Sequence, residues 1–188
     1  MPQDIRTRLL QTYEQFTLEG EAVAKQELRD TVFSLLLQLP ELSSNDYQLW
    51  GLTYYFSDQS AETAQLALEK FIKAYEADSN NFLACLYIAH CYQDQQELDK
   101  ALQYYELVDK KGLRSFQFWR YVKLLEQIGY CHHQLGRVDV ARQIFTEVVD
   151  LYQQHTQEDL AAPTELLACL AETDELVIAV KDVEDYLD

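Results

Sequence analysis

The sequence predicts an all-α fold of antiparallel helical hairpins that follow one another along the chain. Only five Gly and three Pro occur among the 188 residues, so the chain has few of the residues that punctuate tight turns. Apolar residues make up 48%, enough for a packed core and too many for a disordered chain. Similar residues also return at intervals near 34 positions, as in repeat architectures. We therefore expect one domain over residues 1–188.

Residues 1–44 are predicted to form two helices. The first, Gln3–Phe16, carries apolar residues on one face, namely Ile5, Leu9, Leu10, Tyr13 and Phe16. The second, Glu21–Leu39, ends at Pro40 and is expected to bury its own apolar set, namely Leu28, Val32, Leu35, Leu36 and Leu39. The pair is interpreted as either a degenerate repeat or an N-terminal cap.

Residues 45–155 contain three similar segments, each with small residues in two helices and bulky residues around them. The first has Tyr47, Trp50, Gly51, Tyr54, Ala67, Phe71 and Ala74. The second has Cys85, Ile88, Ala89, Tyr92, Ala101, Tyr105 and Val108. The third has Leu125, Ile128, Gly129, His132, Gly136, Ala141, Phe145 and Val148. Small residues allow the paired helices to approach closely, and bulky residues fill the space between neighbouring hairpins.

The spacing departs from the repeat at two places. Gly51 and Ala67 are four residues further apart than Ala89 and Ala101, which predicts a longer turn near residues 57–60. Six additional residues precede the third segment, around Lys110–Phe118. A longer first helix that begins near Ser115 would accommodate them.

These residues resemble the tetratricopeptide-repeat (TPR) family, whose repeat is a helical hairpin of about 34 residues. The resemblance implies a TPR-like solenoid in which the first helix of each hairpin lines a concave, peptide-binding groove. The matching groove positions are Gln48, Leu52, Tyr55, Phe56, Leu83, Leu86, His90, Gln93, Asp94, Lys123, Glu126, Tyr130, His133 and Gln134. Their aromatic, aliphatic and amide side chains suit an extended peptide or a helix. The implied function is non-catalytic protein binding of scaffold or chaperone type, and the outline is similar to small acidic three-repeat TPR chaperones.

Residues 156–188 are predicted to form acidic C-terminal capping helices over Thr164–Leu170 and Asp174–Leu187, with Pro163 at the start of the first. Ten acidic residues and one basic residue follow His155, so nine of the 17 net negative charges lie there. This segment is interpreted as either a polar cap of the solenoid or a binding element.

The net charge of −17 and the pI near 4.5 disfavour nucleic acid and anionic membranes as partners. A basic protein partner would be attracted, so one alternative is an immunity or inhibitor protein that masks a basic partner. Another alternative is a self-associating structural protein, a homodimer formed through the Ile5, Leu9 and Leu10 face. The sequence shows no secretory signal pattern or membrane-length apolar run, which predicts a cytoplasmic protein.

Two clusters could indicate catalysis or a metal: His90–Cys91 and Cys131–His133. Cysteine and histidine serve as nucleophile and base or as metal ligands. However, Cys91 and Cys131 occupy the same repeat position, and His132 takes the place of the aromatic residue in the other repeats. Adjacent helical residues also face different directions. We therefore predict no enzyme activity, no cofactor and no metal.

Overall fold

The computed structural model describes residues 2–58, 60–156 and 160–184, which form eleven α-helices and no strand. The helices are α1 Pro2–Leu18, α2 Ala22–Leu37, α3 Ser44–Tyr55, α4 Ala61–Ala77, α5 Phe82–Asp94, α6 Leu98–Leu107, α7 Lys110–Phe116, α8 Phe118–Gln134, α9 Val138–Gln154, α10 Thr164–Cys169 and α11 Glu175–Glu184. They divide into two compact units, Met1–Cys91 and Tyr92–Asp188, with the boundary inside α5. The all-α prediction is confirmed.

In the first unit, α1 pairs with α2 and α3 pairs with α4. The core between α1, α2 and α3 is apolar and contains Leu9, Val32, Leu35, Leu36, Leu39 and Leu49. An ion pair of 2.9 Å between Arg6 Nη2 and Asp46 Oδ2 joins α1 to α3. Leu10 is 57% exposed, whereas Leu9 is 1% exposed. The proposed N-terminal dimer face therefore contributes its central residue to the internal core.

Helix starts in this unit follow local capping chemistry. The Ser43 hydroxyl accepts a hydrogen bond from the Asp46 backbone N–H, and the Asp46 carboxylate accepts one from the Ser43 backbone N–H. This reciprocal pair is a capping box. Ser60 caps α4 in the simpler way, by accepting from Thr63 N. The connection between α3 and α4 is longer than the one between α5 and α6, which confirms the longer turn predicted near residues 57–60.

Two glycines lie at close approaches between helices, one in each unit. A Cβ atom on Gly51 would lie 2.6 Å from Phe71 Cε1, and one on Gly129 would lie 2.6 Å from Phe145 Cε1. Both rings are fully buried, so neither can move aside without disturbing the core. The small residues at these repeat positions are therefore required by packing, as the repeat pattern predicts.

The second unit repeats one turn geometry at two equivalent places. After α5, Gln96 adopts φ +61°, and after α8, Gly136 adopts φ +74°. The next residue in each case bonds back five positions: Glu97 N donates to Tyr92 O, and Arg137 N to His132 O. This is the pattern of a helix end closed by a left-handed residue. The shared turn supports the alignment of these two repeats.

The six additional residues before the third repeat do not simply lengthen the next helix from Ser115. They form a separate helix, α7, and α8 begins at Phe118. The Asp109 carboxylate caps α7 by accepting from Gly112 N at 3.0 Å, and Leu113 is fully buried. Gln117 then breaks the helix with an extended backbone at φ −150°. A local cap and one buried anchor thus make a short helix where the spacing predicted an extension.

The C-terminal helices pack on the third repeat, α10 against α8 and α11 against α9. The predicted helix over Thr164–Leu170 is observed to within one residue. Pro163 lies at the N-cap position of α10. The predicted end of the last helix at Leu187 lies outside the described residues.

Candidate functional site

The groove positions implied by the repeat lie on α3 and α5 in the first unit, and on the end of α5 and on α8 in the second. In the first unit, aromatic side chains at the end of α3 meet those of α5. The ring centroid of Tyr55 lies 5.2 Å from that of Phe56 and 5.6 Å from that of Tyr87. Tyr87 also contacts His90, with ring centroids 5.7 Å apart. These four residues, Tyr55, Phe56, Tyr87 and His90, are called the aromatic surface.

One ring of the aromatic surface is buried in the core, and another is exposed to solvent. Tyr87 is 6% exposed and stacks on the buried ring of Phe71 at a centroid distance of 5.2 Å. Phe56 is 43% exposed, and Tyr55 and His90 are half-buried. Edge-to-face contacts of this kind hold the rings in fixed orientations. The surface therefore presents preoriented aromatic groups to solvent.

The other predicted positions of the first unit differ in exposure. Gln48, Leu52 and Leu83 are half-buried. Leu86 is 2% exposed, so its side chain belongs to the core and adds no area to a binding surface. Tyr87, which the groove pattern did not include, is the residue that joins the aromatic rings. Its place one residue after Leu86, in a run of apolar residues, carried no periodic signal to distinguish it.

In the second unit, the predicted position Gln93 belongs to an internal polar network. The Gln93 amide donates to Gln127 Oε1, and Tyr105 OH donates to Gln93 Oε1 at 2.8 Å. Gln127 Nε2 in turn donates to Glu165 Oε1 at 2.7 Å. The network connects the end of α5 through α8 to α10. Only Gln93 among these residues was expected to contact a ligand.

Glu126 lies at the centre of the contact between α8 and α10. Its side chain is 0% exposed, and Oε1 accepts hydrogen bonds from the backbone N–H groups of Glu165 at 2.8 Å and Leu166 at 3.1 Å. Lys123 Nζ lies 2.7 Å from carboxylate oxygens of both Glu126 and Glu165. Lys123 and Glu126 therefore bind the start of α10. These two residues, which were expected to contact a ligand, contact a helix of the chain itself.

Burial raises and ion pairing lowers the pKa of both carboxyls, but the net shifts of Glu126 and Glu165 have opposite directions. Burial raises the pKa of Glu126 to about 7, against the opposing effect of Lys123. Glu165 is also partly buried, but hydrogen bonds from Lys123 and Thr164 outweigh that burial and lower its pKa to about 2. Of the two carboxyls, Glu165 therefore loses its proton more readily, and it lies at the start of α10, where the helix dipole also favours a negative charge.

The remaining predicted positions of this unit are more accessible. Tyr130 and His133 are half-buried, and Asp94 and Gln134 are exposed. The Gln134 side chain hydrogen-bonds the Cys169 thiol group of α10.

The cysteines of the two clusters, Cys91 and Cys131, are both buried. Burial raises the pKa of the Cys131 thiol to about 12, which keeps it in the unreactive protonated form. His132 and His133 each have a buried Nδ1 with no hydrogen-bond partner. In the part of the chain that the structure describes, no group of three or more His, Cys, Asp or Glu side chains could hold a metal ion.

Within the described ranges, no helix has the length and apolar character needed to cross a membrane.

Comparison with known proteins identifies the repeat and the fold. Residues 122–155, which cover most of α8 and all of α9, match the tetratricopeptide repeat model. The chain is also similar to the crystal structure of the MamA protein, with a TM-score of 0.58 and 19% sequence identity over 85% of this chain and 79% of that chain. That likeness concerns the fold alone. No curated protein sequence matches the chain. The predicted TPR-like helical solenoid is confirmed.

Proposed function

From a TPR-like fold, which is typical of non-catalytic protein-interaction modules, we propose that this chain binds a peptide or helix of another protein on its aromatic surface. The observation that carries the proposal is the ring cluster of Tyr55, Phe56, Tyr87 and His90. In this cluster the buried ring of Tyr87 contacts the exposed ring of Phe56. Rigid aromatic side chains are the residues that most often dominate the energy of protein interfaces.

The first unit is favoured over the second as the main contact area. In the second unit, Lys123 and Glu126 already contact α10, so a ligand there would have to displace part of the chain. On the aromatic surface, the Phe56 ring is 43% exposed. Half-buried Leu52 and Leu83 on the same helices offer apolar contacts for the side chains of an extended or helical partner. A scaffold or chaperone function would use the same surface.

A site-specific crosslink tests the proposal. A photoreactive phenylalanine at Phe56 should capture a partner in cells of the source, whereas the same group at Leu37, an exposed apolar position on α2, should not. Once the partner is identified, Phe56→Ala should weaken its binding by ~1–2 kcal/mol, as loss of an aromatic anchor does. Capture at both positions, or unchanged affinity of Phe56→Ala, would place the contact elsewhere.

A second candidate is an inhibitor or immunity protein that masks a basic partner through its acidic surface, favoured by the net charge of −17. Neutralising Asp182, Glu184 and Asp185 tests it, although their side chains lie outside the described residues. Under this alternative the change should abolish binding, whereas it should only slow association if the aromatic surface is the main contact. Titration at two salt concentrations separates these results.

Self-association through the N-terminal helices has less support, because Leu9 is buried in the internal core. Light scattering of the purified protein tests it, and a dimer that Leu10→Glu converts to a monomer would revive it. We also propose a cytoplasmic location, which the reduced thiols of Cys85, Cys131 and Cys169 support.

A further inference from the structure

Helix α7 and the start of α8 carry a basic stretch that the proposed function does not use. Residues 110–123 contain five of the chain's 15 Lys and Arg residues and no Asp or Glu. These five are Lys110, Lys111, Arg114, Arg120 and Lys123. All other residues together hold 32 acidic and ten basic side chains. Such a local concentration of positive charge in an acidic chain would attract a negatively charged partner.

Three of these cations are exposed side chains of α7. Lys110, Lys111 and Arg114 form no ion pair with a described residue. Arg114 follows them at helical spacings of four and three positions, so all three charges lie near one another and repel. The helix is nevertheless held in place, because Asp109 caps it and Leu113 is fully buried. The cations are thus presented on a fixed support.

Aromatic side chains accompany the cations. Phe116 is 58% exposed and Trp119 is 38% exposed. The guanidinium carbon of Arg120 lies 4.6 Å from the Trp119 ring centroid, and that of Arg114 lies 5.3 Å from the Tyr121 centroid. Arg120 also donates from Nε to Gln117 Oε1. The exposed guanidinium of Arg114, stacked on a ring, can direct its N–H edge to a carboxylate. The patch can therefore supply charged hydrogen bonds and apolar contact together.

We propose that a basic aromatic patch docks a short acidic segment of a partner protein that carries one apolar anchor residue. The patch consists of Lys110, Lys111, Arg114, Phe116, Trp119 and Arg120. Lys110, Lys111 and Arg114 would pair with the carboxylates, while the exposed rings would contact the anchor. The patch belongs to the second unit and shares no residue with the aromatic surface, so neither proposal depends on the other.

The surroundings of the patch favour a short segment over an extended polyanion. The carboxylates of Glu106 and Asp109 are exposed just before it, and Glu147 accepts a hydrogen bond from Tyr121 OH at 3.2 Å. A nucleic acid or an anionic membrane would extend over these negative charges. A helix of seven residues is only about 10 Å long, and at physiological salt charges interact over about 8 Å. A short acidic segment would therefore experience mainly the local positive charge.

The chain itself contains one example of such recognition. Lys123, the last residue of the basic stretch, holds the carboxylate of Glu165 at 2.7 Å, at the start of the short helix α10. An acidic helical turn of another protein would approach the neighbouring cations in the same chemical manner.

Binding can be measured with a short fluorescein-labelled peptide of Asp and Glu residues with one central Phe. The test variant is Lys110→Glu with Lys111→Glu, and the control is Arg8→Glu with Lys181→Glu, which changes the net charge equally at other exposed positions. We expect the test variant to bind at least about tenfold more weakly, since it reverses charges in the contact, and the control to bind like the parent. Glutamate at the start of α7 favours the helix dipole, so the fold should persist.

A second measurement reports on the patch directly. Trp50 and Trp119 are the two tryptophans of the chain, so Trp50→Phe leaves Trp119 as the sole tryptophan fluorophore. Its emission should shift to the blue when the peptide binds. Parallel titrations use phosphatidylserine vesicles and single-stranded oligothymidine. If the vesicles or the oligothymidine bind and the peptide does not, the partner is not an acidic protein segment. Absence of peptide binding, equal binding by the test and control variants, or an unchanged Trp119 spectrum would overturn the proposal.

Discussion

Replacing Glu126 by Gln should change how the stability of the protein depends on pH. The Glu126 carboxyl is 0% exposed, and burial raises its pKa to about 7 from an ordinary value of 4.5. The folded state therefore binds a proton more tightly than the unfolded state between these values. This contribution to stability is fully present below pH 4.5 and is lost as the pH rises through 7.

The size of the effect follows from the pKa difference. Each pKa unit corresponds to about 1.4 kcal/mol, so the displacement of Glu126 sets a ceiling of about 3 kcal/mol lost between pH 4.5 and 8. A Gln side chain keeps an oxygen that can accept the backbone N–H groups of Glu165 and Leu166, and it has no proton to lose. Lys123 retains Glu165 as its partner. The variant should therefore lose less stability with rising pH than the parent does.

Urea unfolding at pH 5, 6, 7 and 8 measures this difference, since urea leaves the ionic strength unchanged. The control is Glu106→Gln, which removes an exposed carboxyl of α6. The parent and the control should lose stability in parallel, and Glu126→Gln should give a flatter profile. Parallel profiles for all three proteins would show that Glu126 is ionised throughout and that Lys123 outweighs its burial.

The neighbouring carboxyl should give the opposite sign. The pKa of Glu165 is lowered to about 2, so its contribution is present above pH 4.5 and is lost as the pH falls toward 2. Glu165→Gln should destabilise the protein at pH 7 and weaken the loss of stability below pH 4.5. An unchanged acid profile would contradict the ion pair with Lys123.

Further outcomes follow from the packing and the turns. Ala101→Trp, at a fully buried position, should cost about 1–3 kcal/mol in urea unfolding, and a parental midpoint would contradict the repeat alignment. Gly129→Ala should also destabilise, because its Cβ would meet Phe145 at 2.6 Å, and a more stable variant would refute the close approach. Gln96→Gly should stabilise by ~1 kcal/mol, since the residue adopts the positive φ that Gly136 has in the next repeat; a loss of stability would refute backbone strain there. Elemental analysis should find no stoichiometric zinc or iron.

The repeat could be predicted from the sequence because its signals are local and recur. Gly51 and Gly129 lie where helices approach, and Phe71 and Phe145 face them from equivalent positions of the second helix of each hairpin. Because such contacts recur in each repeat, a residue pattern with a period near 34 indicates them directly. Helix α7 was missed because it depends on a single cap at Asp109, which the repeat period does not encode.

The candidate site was less predictable, because exposure depends on which element covers each position. Tyr55 and Phe56 were expected at the surface and are partly exposed there, but Glu126 is covered by α10. The groove positions come from the repeat, whereas α10 follows the last repeat and has no periodic relation to it. A pattern of residues within each hairpin cannot state which helix packs on the final one.

The contact between α8 and α10 also explains why a buried carboxylate is tolerated at the end of the repeats. The last hairpin of a repeat array leaves one face without a neighbour, and that face must be covered or made polar. Here Glu126 accepts two backbone N–H groups at the start of α10, donors that have no partner within a helix. Its burial is partly offset by satisfying them, and Lys123 balances the charge. Buried Glu126 thus orients the covering helix α10 by hydrogen bonds. An apolar residue at this position could not do so.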